Sequence, residues 1–336
     1  MTESASASES VATMEPEPEP KRAIVVRNLT RNFGSLRAVD GLSFEANEGE
    51  VVGFIGANGA GKTTTMRILA TLDMQDSGSA EIGGYDVCDD PAQVRKILGW
   101  VPDAFHAYDN LTVAEYVDFF ARAHGYTGAE RRERVGEILN FTGLESLSDR
   151  LANKMSKGQT QRLCLCRALL HDPKVLILDE PAAGLDPQAR VELKQLIKIL
   201  SEEGRTLLIS SHILSELGEM CDRLVFINNG KLLHDGASDE MLRGETGKVL
   251  VEIKVVPGSG DPSSVLELQP GVEIVETFRN GVRLSLETNE PKAHARLLKQ
   301  IIDQGVQVIG YRSMERNLED AFIEMLADAN APDQNS

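Results

Sequence analysis

Gly56-Ala57-Asn58-Gly59-Ala60-Gly61-Lys62-Thr63 fits the spacing G-x-x-x-x-G-K-[ST]. An apolar run, Val51-Val52-Gly53-Phe54-Ile55, leads into it, and a helical pattern over residues 62–72 leads out. Strand, glycine-rich turn and helix in that order can wrap main-chain N–H groups around a phosphate. The glycines let those amides approach without a Cβ in the way. The helix N-terminus adds partial positive charge. Lys62 can neutralise the terminal phosphates of a nucleotide, and the Thr63 hydroxyl can ligate Mg²⁺. Thr64 belongs to the same first turn. The competing reading, a tight glycine turn with a solvated lysine, does not account for the flanking strand and helix.

A second apolar run, Val175-Leu176-Ile177-Leu178, ends in Asp179 and Glu180. A carboxylate at the C-terminal end of a buried strand faces the crevice where α/β folds bind ligands. Asp179 would there hold Mg²⁺ through water. Glu180 would orient and deprotonate an attacking water. Leu-Asp-Glu alone is a weak signal, because strands often end in an acid; beside a phosphate loop it becomes strong. Residues 206–209 and 224–227 are further buried-strand patterns. Strands alternating with helices from about Lys21 to Asp235 predict an α/β sheet. Between residues 111 and 170 the pattern is almost wholly helical and more polar, as expected of an insertion into that core.

The chain of 336 residues is long enough for about two domains. Its 41% hydrophobic and 26% charged residues are the balance of a globular chain with a sizeable core. Thirty-five basic against 52 acidic residues give a net charge of −17. That argues against general affinity for nucleic acid or an anionic lipid surface, both of which need a basic field. Four cysteines do not make a disulfide scaffold and suit a reducing compartment. Cys164 and Cys166 lie two apart on a helical pattern and face roughly 200° away from each other, which favours packing over a shared metal. No stretch approaches the roughly 18 uninterrupted apolar residues of a membrane helix. Any membrane connection is therefore expected through a partner.

Taken together, these motifs resemble the nucleotide-binding subunit of an ATP-binding cassette (ABC) transporter. The resemblance implies an α/β P-loop NTPase fold of ABC type with a helical insertion, ATP as the nucleotide, and Mg²⁺. Met155-Ser156-Lys157-Gly158-Gln159 is similar to the family's LSGGQ signature, with Lys157 at the first glycine. It lies about 100 residues from the first loop. In the family it acts in trans, so two subunits sandwich two ATP head-to-tail. Ser156, Gly158 and Gln159 are the implied contacts. Ala183-Gly184-Leu185-Asp186 resembles the loop that links the two sites across the dimer and assigns Asp186 to the nucleotide. Ser211-His212 resembles the switch histidine that contacts the γ-phosphate. Phe33 matches the aromatic residue that stacks on adenine, with a core or surface aromatic as the competing reading; Val39 is expected against the same ring. Where the family carries glutamine after a GxxP pattern, Gly99-Trp100-Val101-Pro102-Asp103 carries an acid. Asp103 can ligate Mg²⁺ but adds negative charge beside the phosphates.

The resemblance further implies a homodimeric ATPase that powers export through a separate integral-membrane permease subunit, on the inner face of the cell membrane, with no nucleic-acid partner. Alternatives are a soluble ABC-type ATPase of translation or DNA repair, and a nucleotide-gated binding protein of low turnover. The expected organisation is an acidic, disordered tail over residues 1–20, a nucleotide-binding domain over 21–244 with its insertion at about 104–170, a small α+β domain over 245–328 and a frayed end over 329–336. Within the small domain, strands are predicted at 249–256, 272–277, 282–286 and 306–311, a hairpin turn at Asn280-Gly281, and helices at 291–303 and 317–326. Asn317-Leu318-Glu319-Asp320-Ala321-Phe322 is similar to the closing helix of bacterial drug- and antibiotic-type exporter subunits.

Overall fold

The computed structural model describes residues 21–213, 217–218, 220–238, 249–258, 263–266, 269–288 and 290–314. Both tails, the 244/245 boundary and the Asn317–Phe322 motif lie outside them.

Strands β1 (Arg22–Phe33), β2 (Leu36–Asn47), β4 (Ser77–Ile82) and β5 (Tyr85–Asp86) form an antiparallel sheet in the order β2-β1-β4-β5. A six-stranded sheet runs β10-β9-β3-β8-β7-β6, from β3 (Val51–Ile55), β6 (Leu98–Val101), β7 (Val175–Leu178), β8 (Thr206–Ser211), β9 (Arg223–Asn228) and β10 (Lys231–Ala237). Five of its strands are parallel, and β10 is an antiparallel edge.

The unbroken apolar runs follow from burial on both faces. Val52, Phe54, Val175, Ile177 and Leu208 face a core shared with the antiparallel sheet, α1 (Lys62–Leu69) and α2 (Pro91–Ile97). Val51, Ile55, Leu176, Leu178, Leu207 and Ile209 face a second core, closed by α3 (Val113–Ala123), α4 (Gly128–Phe141), α5 (Lys157–Leu169) and α6 (Pro187–Glu202). Cys164 and Cys166 are fully buried there as packing groups.

Three expectations are corrected in detail. Helix α1 stops at Leu69 rather than residue 72, because Thr71 turns to φ 58° and its N–H reaches Ile68 O while Leu72 N–H reaches Arg67 O. This paired closure ends a helix in a left-handed residue. The signature helix begins at Lys157, with Ser156 as its cap. In the C-terminal sheet the hairpin turns on Arg279-Asn280, and Gly281 already pairs with Phe278. Gly281 serves a close approach instead: a Cβ there would lie 2.1 Å from Ile253 O of the adjoining strand. That sheet comprises β11 (Val249–Val255), β12 (Val272–Phe278), β13 (Gly281–Leu286) and β14 (Val308–Met314) in the order β12-β13-β11-β14, and β14 starts two residues later than expected. The helix Pro291–Asp303 packs Leu297 and Ile301 into the core beneath it.

A stacked histidine pair gives this fold a pH signature. His171, just past α5, lies 3.0 Å through Nε2 from Leu98 O and stacks on His124 at 4.4 Å. Its Nδ1 is buried without a partner. Burial, helped by His124, pushes the His171 pKa down to about 4, and burial lowers His124 too. The unfolded chain therefore binds more protons between about pH 6.5 and pH 4, so this contribution is intact above pH 6.5 and is lost as pH falls through that window. His171→Gln, which keeps a donor for Leu98 O, is expected to lose about 1–2 kcal/mol less than the parent between pH 7 and pH 4.5. Parallel denaturant melts read the difference; identical pH slopes would refute it.

Candidate functional site

The parallel strands end side by side. Ile55 pairs with Ser211, and Leu178 pairs with both Ile209 and Val101. The residues that follow β3, β6, β7 and β8 are thereby brought to one rim of the sheet. They form a cleft of about 360 Å³ lined by Phe33, Leu36, Ala38, Ala57, Asn58, Gly59, Gly61, Lys62, Thr63, Thr64, Asp103, Glu180, Ala183 and His212. Site residues predicted from five separate segments thus meet in one place. A larger cleft of about 530 Å³ includes Lys174 and Thr206 at the opposite ends of β7 and β8, but its Asp172 and Glu203 are already paired with Arg205.

Two glycines of the loop are steric requirements. A Cβ on Gly61, at φ 107°, would lie 2.5 Å from Ala38 O; one on Gly56 would lie 2.6 Å from Ile227 O. Gly56 and Ala60 are buried and support the loop rather than line the cleft. Lys62 is buried, and its Nζ donates to Gly56 O at 2.7 Å. It also sits 3.3 Å from Glu180 Oε1. Glu180 Oε2 meets His212 Nδ1 at 2.7 Å. One carboxylate therefore joins the loop lysine to the histidine. Glu180 holds this place with φ 48°, a left-handed conformation that a non-glycine residue rarely adopts.

Asp179 lies behind this row, 1% exposed. Its Oδ1 accepts from Ser210 Oγ at 2.7 Å, while Oδ2 is buried without a hydrogen bond of normal geometry. Burial raises its pKa; the Ser210 and Thr63 hydroxyls pull it back, and the negative charges of Asp103 and Glu180 push it up. Ser210 was not singled out in the sequence. The available signal was a hydroxyl ending the otherwise aliphatic run Leu207-Leu208-Ile209.

This donor set fits Mg²⁺. An orphaned carboxylate oxygen on Asp179, the Thr63 hydroxyl and Asp103 are all hard oxygen ligands. Among the described residues no three His, Cys, Asp or Glu side chains form a ready-made metal cage. Phosphate oxygens and water would have to complete the shell, as is usual for Mg²⁺.

The remaining expected residues divide. Phe33 lines the cleft with one face, while the Arg31 guanidinium covers its ring at 4.8 Å. Val39 does not share that surface: it is fully buried in the inter-sheet core, and Ala38 and Leu36 face the cleft in its place. Strand alternation explains the correction, since neighbouring residues point to opposite faces. Ser156 and Gln159 form a reciprocal capping box on α5, and Asp186 Oδ1 caps α6 by accepting from Ala189 N–H at 2.9 Å. None of Ser156, Gly158, Gln159 or Asp186 lines the cleft of its own chain. Lys157 lies across the 183–186 loop: a Cβ on Gly184 would fall 2.3 Å from its Nζ.

Phe33→Ala is expected to raise the KM for nucleotide about tenfold, near the lower end of what base stacking contributes, and to leave kcat nearly unchanged. Phe33→Trp should retain the parent KM. Steady-state kinetics with adenine and guanine triphosphates checks this, since stacking without edge contacts discriminates little between them.

Residues 39–183 match the family model described as ABC transporter. The chain is 34% identical over 301 residues to a Nod factor export ATP-binding protein I of Ralstonia nicotianae, covering 89% of this chain and 92% of that one. It is 30% identical to the daunorubicin/doxorubicin resistance ATP-binding protein DrrA of Streptomyces peucetius, over 91% and 93%. A solved dimeric ATP-binding cassette in a post-hydrolysis state, bound to ADP and Pi, superposes with a TM-score of 0.58 at 27% identity, covering 64% of this chain and 98% of that one. These relatives do not favour a role in translation or DNA repair.

Proposed function

Since the chain belongs to the ATP-binding subunits of the ABC transporter family, we propose that it powers a membrane exporter through ATP-driven closure of a head-to-tail homodimer. The observation that carries this reading is the split site. One chain assembles Lys62, Glu180 and His212 in a single cleft with Asp179 buried behind them, yet leaves Ser156, Gly158 and Gln159 outside it. A second copy related by a twofold axis would lay its signature loop over the nucleotide and receive the same in return.

In this reading Phe33 stacks on the adenine. The amides of residues 57–64 and the Lys62 ammonium hold the phosphates. Arrival of the triphosphate draws Lys62 away from Glu180, leaving that carboxylate as a base for the attacking water. His212, hydrogen-bonded to Glu180, is placed to contact the γ-phosphate. Mg²⁺, held by Thr63 and Asp179 with Asp103 nearby, would neutralise phosphate charge when bound.

Among the described residues no helix is long and apolar enough to cross a membrane. The membrane partner is a separate permease. Its docking face is the aromatic surface beside Asp103, where Tyr108 and Phe119 stand exposed around the buried Tyr116. Detergent-solubilised complexes should yield a polytopic membrane protein with the parent. Tyr108→Glu/Phe119→Glu should lose it while keeping basal ATP hydrolysis. Equal recovery of the membrane protein by both would overturn this assignment of the docking face, and its absence from the parent would overturn the exporter reading.

A further inference from the structure

Ser210, the penultimate residue of β8, is fully buried and makes two hydrogen bonds. Its hydroxyl donates to Asp179 Oδ1 at 2.7 Å and accepts from the Glu180 N–H at 2.8 Å. A buried hydroxyl costs stability unless it is paired, and here both of its roles are filled by residues assigned to phosphoryl transfer. Its neighbour Ser211 turns the other way and accepts from Ile213 N–H at 2.9 Å, so the effect belongs to one position.

We infer that Ser210 is a positioning residue for ATP hydrolysis, one hydroxyl that sets both the metal-binding carboxylate and the general base. Two consequences follow from the geometry. Occupation of Oδ1 leaves Asp179 with a single unpaired oxygen, Oδ2, to offer a cation. Capture of the Glu180 N–H fixes the peptide that carries the base into its left-handed turn at φ 48°, from which the carboxylate reaches Lys62 and His212. Without that bond the turn has less to hold it, since a non-glycine residue pays conformational energy there. Metal affinity and base placement are thereby coupled through Ser210, which touches neither nucleotide nor cation.

This inference rests on the roles proposed for Asp179 and Glu180, and its test separates the two. Ser210→Ala is expected to lower kcat at least tenfold with the KM for ATP changed less than threefold. Placed in a Glu180→Gln background, it should raise several-fold the Mg²⁺ concentration that half-saturates ATP-dependent dimer formation, read by size-exclusion chromatography. Ser210→Cys, nearly isosteric with a weaker donor, should fall between. Leu208→Val, on the same strand face two residues earlier, controls for lost packing: it should lower the melting temperature and leave kcat and the Mg²⁺ midpoint alone. The inference is overturned if Ser210→Ala hydrolyses ATP within threefold of the parent, or if Leu208→Val reproduces its kinetic losses. If Glu180→Gln alone still turns over at the parental rate, the underlying assignment of the base fails instead.

Discussion

Glu180→Gln is expected to cut ATP turnover by about 10³-fold or more while ATP remains bound, so that a nucleotide-loaded dimer accumulates. General-base catalysis contributes about 10² to 10⁴ in rate, and an amide cannot take the proton. The structure indicates why binding should survive. Glutamine is almost isosteric, and its amide oxygen can still accept from Lys62 or His212, the groups that hold Glu180 at 3.3 Å and 2.7 Å. Removing one of three carboxylates, with Asp103 and Asp179, from beside a triphosphate also reduces repulsion. Affinity for ATP should therefore rise or stay level. Phosphate release and size-exclusion chromatography with ATP, both with Mg²⁺ present, make the test. Turnover within tenfold of the parent would remove Glu180 from the mechanism. A low-turnover binding protein, by contrast, would show little hydrolysis in the parent and no change in the variant.

The cleft side of the candidate site was legible because its signals are local. Lys62 is fixed by six preceding residues, and Asp179 and Glu180 by the strand that ends in them. Parallel pairing does the rest, since Leu178 beside Ile209 and Ile55 beside Ser211 bring separated segments to one rim. Side-chain direction at non-motif positions was less legible. Val39 and Ala38 look alike in sequence, but the pleat of β2 buries the first and turns the second to the cleft. The antiparallel sheet went unforeseen for a related reason. Strand β1 slips register near Asn28, at φ 47°, which breaks the two-residue alternation that would have announced it. Ser210 was missed because its importance lies in partners 30 and 31 residues away. The signature-like loop shows the converse: its motif is visible in the sequence, while the fold of one chain places it outside that chain's cleft.

Lys62→Ala should weaken ATP binding at least about 10²-fold, equivalent to some 2.7 kcal/mol, and abolish turnover. Among the described residues that line the cleft, Lys62 is the one fixed cation, facing Asp103 and Glu180 with Asp179 behind them. A triphosphate entering without it meets those carboxylates with main-chain amides as the protein's remaining donors. The fold itself should tolerate the change. Lysine removal leaves Gly56 O without that donor, and Glu180 keeps its bond to His212. The melting temperature should therefore move by only a few degrees, and its rise on adding ATP and Mg²⁺ should vanish. Lys62→Arg should fail as well. A planar guanidinium cannot take the place of a compact ammonium that is 94% buried between the Gly56 carbonyl and Glu180. Titration of a fluorescent ATP analogue measures both variants. Parental affinity in Lys62→Ala would mean that the loop does not cradle phosphate, and the assignments of Asp179, Glu180 and Ser210 built around that phosphate would fall with it.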